Sequence, residues 1–123
     1  MLIEEIPSAK DQIKTIIQHI CKNDILGLVE ANLLDDKESR SGIEDFLGIY
    51  LSNPRNSLEH FDLPPEDEIN KSETRKGWSE FDILADIDLW ANHEKTDATA
   101  IFRIKIDSNK KTSTVKLYDV KVL

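Results

Sequence analysis

From residue 80 the chain alternates for a whole strand. In E-F-D-I-L-A-D-I-D-L-W, Phe81, Ile83, Ala85, Ile87 and Leu89 fall on one side, and Asp82, Leu84, Asp86, Asp88 and Trp90 on the other. Successive strand side chains point to opposite faces, so this period predicts a half-buried strand. Its outer face is acidic and carries two large apolar groups. A second strand over about residues 97–107 puts Ala98, Ala100, Phe102, Ile104 and Ile106 on one face and Thr99, Ile101, Arg103 and Lys105 on the other. A third runs over about residues 112–122, with hairpin connections at 91–96 and 108–111. Apolar residues must oppose apolar ones on the buried side, which pairs Leu89 with Ala98 and Ile83 with Ile104. That register sets Asp82 opposite Lys105 and Leu84 opposite Arg103, so cross-strand cations answer part of the acidic stripe. In the third strand Val115 and Leu117 differ in parity from Val120 and Val122. A β-bulge near Tyr118-Asp119 would bring all four to the core face, and a strand that leaves the sheet explains the pattern equally well.

The first half has the helical period instead. Ile13, Ile16, Ile17, Ile20 and Cys21 share a face after Ser8 and Asp11, which resemble a capping arrangement, and predict a helix over about residues 9–22. Asn23-Asp24 restarts the pattern with Ile25, Leu28, Val29 and Leu33, to about residue 34. Ser41 and Glu44 read as the capping box of a third helix, whose Ile43, Phe46, Leu47, Tyr50 and Leu51 follow the same period until Pro54 ends it. Residues 54–77 hold three prolines and several acids and read as a long connection, with a short extended piece at about 58–63. Loops of that length are often functional, and mobility alone is an equal explanation. The expected product is one α+β domain spanning 1–123: helices over about 8–53, the connection, then an antiparallel β-meander of three or more strands over about 79–123, with the helices packed on one sheet face.

Composition narrows the functional classes. Asp and Glu outnumber Lys and Arg by 24 to 16, for a formal charge of -8. Such a chain is a poor phosphate binder and a good partner for basic surfaces, although acidity for solubility alone is an even alternative. A single cysteine, Cys21, makes no internal disulfide, which points to a reducing compartment. The acidic start M-L-I-E-E-I-P-S lacks the positive charge of a signal peptide, and no apolar run approaches the ~20 residues of a membrane span. The expected location is cytoplasmic.

Chemistry-bearing motifs are sparse. His19, His60 and His93 have no second ligand at metal spacing, and Cys21 sits on the apolar stripe of the first helix, where a buried hydrophobe fits better than a nucleophile. Asp86 and Asp88 share a strand face, the minimum for a hard-cation or acid/base pair, but no phosphate loop or basic motif supports them. The sequence has no G-x-S-x-G, C-x-x-C, P-loop or dinucleotide fingerprint. The expectation is a non-enzyme without cofactor or metal.

The segment D-I-D-L-W-A-N-H-E-K-T-D-A-T from Asp86 to Thr99 and the closing V-K-L-Y-D-V-K-V-L from Val115 to Leu123 resemble a family of small bacterial domains. Its pattern is an acidic strand ending in Asp-Leu-Trp, a Ser/Thr-Asp opening the next strand, and a terminal Val-Leu. The likeness covers the last 40 or so residues; the helical half agrees in length and in I-L-G-L-V-E. Domains of this outline occur among immunity proteins of bacterial toxin systems, including contact-dependent growth inhibition, and some are cystatin-like cones. The resemblance implies an immunity protein that binds and neutralises a cognate toxin domain, with no functional residue to carry over. Charge adds that the toxin is a basic nuclease, bound through Asp82, Asp86, Asp88 and Trp90, with Glu66, Asp67 and Glu68 as a second candidate contact. Two alternatives stay open: a small-ligand or enzymatic domain on a cone-shaped sheet, and an adaptor domain of a bacterial assembly. Neither nucleic acid nor a membrane is expected as partner.

Overall fold

The computed structural model describes residues 1–55 and 58–122, so Asn56 and Ser57 of the expected connection and Leu123 of the closing segment lie outside the described residues. Helices come first and strands last: α1 (Ala9–Cys21), α2 (Ile25–Glu30), α3 (Arg40–Ser52), α4 (Glu66–Asn70), β1 (Thr74–Ser79), β2 (Asp82–Ala91), β3 (Glu94–Ile106) and β4 (Ser113–Val122). The strands form one antiparallel meander in the order β1-β2-β3-β4, and α1 and α3 pack on β4. This is the expected α+β arrangement.

The helices follow their apolar faces more closely than their expected caps. Ile13, Ile16, Ile17 and Ile20 of α1 are all buried, but Ser8 lies at φ 58° and its side chain caps nothing. Gln12 takes over: its Nε2 donates to the Ser8 carbonyl at 3.0 Å and to the Ser113 carbonyl at 2.9 Å, and its Oε1 accepts from Val115 N at 3.0 Å. One glutamine side chain thus pairs with β4 as a neighbouring strand would. α2 is capped as expected, Asp24 accepting from Gly27 N at 3.0 Å. It ends early because Asn32, at φ 58°, turns the chain. Leu34 then bridges Leu117 in parallel, with Leu117 N donating to Leu33 O at 2.7 Å and Asp35 N to Leu117 O at 2.8 Å. α3 starts at Arg40, so Ser41 and Glu44 lie inside it, and Glu44 binds Arg40 at 2.7 Å rather than closing a box.

In the sheet, Asp82 faces Lys105, Ile83 faces Ile104 and Leu84 faces Arg103, the register expected from the apolar pattern. The pairing shifts between Asp88 and Trp90, where Thr96 Oγ1 donates to Leu89 O at 2.7 Å. The β2–β3 hairpin closes on Asn92 and His93, with φ 52° and 65°, the left-handed pair of a two-residue turn. Between β3 and β4, Ile101 faces Asp119 and Phe102 faces Leu117, which leaves Tyr118 as the bulged residue. The bulge buries Val115, Leu117 and Val120; Val122 does not join them and is 49% exposed.

The expected connection is the part that differs. It contains α4 and most of β1, so the sheet has a fourth strand. T-R-K-G-W-S hides this strand because only Thr74 and Gly77 are even partly covered, and without alternating apolar groups the strand leaves no period to read. The expected extended piece is a bridge between Asp62 and Trp90, with Asp62 N donating to Trp90 O at 2.7 Å. Between helices and sheet, α1, Leu28 and Leu47 meet Ala85, Phe102, Ile104 and Leu117 in one apolar core. Each such large side chain contributes about 1.5–3 kcal/mol on burial. Among the described residues no helix is long and apolar enough to cross a membrane.

Candidate partner-binding cleft

Where β1 stops pairing with β2, at Ala85, the chain has just come out of α4, and the gap between α4 and the outer face of β2 is an open cleft of about 440 Å³. Its walls bring together Asp67 and Glu68 from α4 with Asp86, Asp88 and Trp90 from β2, while Lys71 and Lys95 stand among them. The two candidate contacts of the sequence analysis, far apart in the chain, are therefore the opposite walls of one site. The alternation of β2 aims Asp86, Asp88 and Trp90 at the same side. The prolines before Glu66 set α4 against α1, where Glu66 meets Lys10 at 3.4 Å and Lys14 at 3.3 Å.

Two of the seven expected residues lie elsewhere. Glu66 is spent on the α1 contact, and the Lys14 and Lys10 ammonium groups hold its carboxyl below the usual range. Asp82 lies outside the cleft and forms a two-pronged pair with Arg103, at 2.9 Å to Nε and 2.6 Å to Nη2. That guanidinium holds Asp82 below the ordinary carboxylate range. Lys105, its register partner, is not the answering cation. Leu84 and Ile101, which the alternation places on the outer faces of their strands, are buried at 8% and 2% exposure.

Within the cleft the carboxylates are unequally answered. Asp86 receives Arg75 Nε at 2.9 Å and Nη2 at 3.0 Å, a cation supplied by the strand the sequence concealed. Glu68 meets Lys95 at 3.3 Å. Among the described residues Asp88 accepts only from the Thr99 hydroxyl, at 3.1 Å, and Asp67 makes no side-chain bond or ion pair. Asp67 and Asp88 thus lend the cleft negative charge that no cation among the described residues binds, beside half-buried Trp90.

Among the described residues no three or more His, Cys, Asp or Glu side chains are placed to hold a metal ion. Cys21 is half-buried and its thiol is pushed up to about 11, by burial and by Asp62, so it is a weak nucleophile near neutral pH. His19 Nδ1 contacts Asp24 Oδ2 at 3.0 Å, within the cap of α2, and His60 Nε2 lies 3.3 Å from Asp62. Comparison with protein families, with curated proteins and with solved structures finds no match, so the functional reading rests on the geometry of this chain.

Proposed function

We propose that the protein is an immunity protein, which binds the toxic domain of a cognate bacterial toxin, a basic nuclease, and neutralises it through the cleft between α4 and β2. What supports this reading is the convergence of four carboxylates from two elements beside Trp90, against two lysines in the same lining, with Asp67 and Asp88 in no ion pair among the described residues, in a chain of charge -8. A nuclease presents a basic substrate cleft, and an acidic surface competes with nucleic acid for it. Long-range attraction raises the encounter rate, and a half-buried aromatic slows release. Protection inside a cell needs nanomolar binding or better, about -12 kcal/mol.

The rival ligand-binding cone needs a concave apolar cavity containing polar side chains between helices and sheet, and among the described residues that space is filled by aliphatic side chains with Phe61, Phe102 and Tyr50. The reading is tested by co-expressing the protein with the C-terminal toxin domain of the neighbouring upstream gene and scoring growth and copurification together. Rescue with a stable complex is expected; death of the cells without a complex overturns it.

A further inference from the structure

The outer face of the sheet carries a second feature that neither the charge pattern nor the core explains. Trp78 of β1 and Tyr118 of β4 lie edge to face, with ring centroids 5.8 Å apart. Because β2 and β3 run between those two strands, the contact spans the whole sheet, and the side chains of Leu84 and Ile101 are buried on this face apart from the main core. Below the indole, Arg103 stacks 3.9 Å from its centroid. Carboxylates on both sides hold that guanidinium, Asp82 at 2.6 Å and Asp35 at 3.3 Å. The aromatic roof is thus fixed from underneath, yet its upper side is open: Trp78 is 55% exposed and Tyr118 39%.

The Trp–Tyr pair is held in place over an arginine while its rings stay exposed. Exposed tryptophan is unfavourable in water, and Trp, Tyr and Arg are the residue types that dominate binding energy at protein interfaces. Pre-set side chains lose little freedom on association. Charge decides what covers them. Asp82, Asp35 and Asp86 are each bound by an arginine, so the roof does not call for a cation, unlike Asp67 and Asp88 in the cleft. Roof and cleft also share a seam: Asp86 lines the cleft and binds Arg75, which belongs to the same strand as Trp78.

We infer that the partner seat is bipartite, a cationic element of one protein entering the cleft while an apolar ridge of the same protein packs on the Trp78–Tyr118 roof. This rests on the reading of the cleft as the seat of a basic toxin domain. It assigns the two halves different work, the cleft setting the association rate and the roof the residence time.

The chain has two tryptophans, Trp78 in the roof and Trp90 in the cleft. Labelling this protein alone with 5-fluorotryptophan gives two ¹⁹F resonances, assigned with Trp78→Phe and Trp90→Phe. On titration with the catalytically inactivated toxin domain of the neighbouring gene, both resonances are expected to shift together. In surface-plasmon measurements Trp78→Ala should speed dissociation about tenfold or more with association within twofold, as loss of an interface anchor does. Movement of Trp90 alone, or unchanged dissociation in Trp78→Ala, overturns the bipartite seat and leaves the acidic cleft standing. If neither resonance moves, the toxin-binding reading falls and this inference falls with it.

Discussion

Gln12 stands in for a missing strand beside β4. Its amide satisfies the carbonyl of Ser113 and the N–H of Val115, and Val115 is fully buried. Replacing it with alanine leaves two β4 backbone groups without partners, so Gln12→Ala should destabilise the protein by about 1–3 kcal/mol in urea unfolding, far beyond an ordinary exposed helix position. No sequence rule picks out this glutamine, since it reads as the polar side of an amphipathic helix until β4 is laid beside it. Asp82 acts through charge. Arg103 depresses its folded-state pKa, so the pair's contribution is fully present above the unfolded value of about 4 and is lost as pH falls through the lowered folded value. Arg103→Met removes that depression and leaves Asp82 and Asp35 unanswered. The stability gap between wild type and Arg103→Met should therefore be widest near neutral pH and narrow as both are acidified below about pH 4, followed by thermal unfolding across a pH series. A gap that stays constant with pH would show that Arg103 acts through its stacking on Trp78 alone.

Elements were legible where burial imposes a period and concealed where it does not. α1, β2 and β3 each bury one continuous face, and both their existence and the β2–β3 register follow from apolar positions alone. The parity break in β4 allowed either a bulge near Tyr118-Asp119 or a strand leaving the sheet; the bulge forms, at Tyr118, although Val122 escapes the core it was expected to join. β1 has one half-covered position per turn of its pattern and is held by pairing with β2, where Gly77 passes so close that an added Cβ would sit 2.2 Å from Asp82 O. Only tertiary contact makes it a strand. α4 is five residues long and owes its position to Glu66 and the buried Ile69, not to any period. Hairpin chemistry gives a prediction at this scale. The β2–β3 turn places His93 at φ 65°, a left-handed conformation that glycine adopts without strain and histidine does not. His93→Gly creates the Asn-Gly turn preferred in two-residue hairpins and should stabilise the protein by up to about 1 kcal/mol, the relieved strain being partly offset by greater freedom in the unfolded chain. A shift of the urea midpoint with an unchanged m-value is the expected signature.

For the molecule as a whole, the candidate site shows why a sequence yields its residues more readily than its shape. The acids of β2 and those around residue 67 were both visible as charge, but only folding makes Asp67 and Asp88 two walls of one cleft while diverting Glu66 to α1 and Asp82 to Arg103. Basic side chains decided that sorting, Lys10 and Lys14 for Glu66 and two arginines for Asp86 and Asp82. Both arginines come from positions whose partners could not be read in advance: Arg75 from a strand without a period, and Arg103 from a diagonal contact instead of its register neighbour. What stays uncompensated is a small local charge on a molecule whose total is -8, and the two act over different distances. The total charge acts at long range and is screened within about 8 Å at physiological salt, whereas Asp67 and Asp88 act on a partner already in contact. With the proposed partner, a basic toxin domain, raising salt from about 50 to 200 mM should therefore slow association strongly and change dissociation little. Asp67→Asn with Asp88→Asn, which removes two charges from the cleft and none of the arginine pairs, should flatten the salt dependence of association without lowering the unfolding temperature. Reversing Glu4 and Glu59, exposed acids outside the cleft lining, removes more total charge and tests the alternative. If that pair flattens the salt dependence as much as the cleft pair does, attraction belongs to the net charge of the molecule and the cleft loses its role in steering.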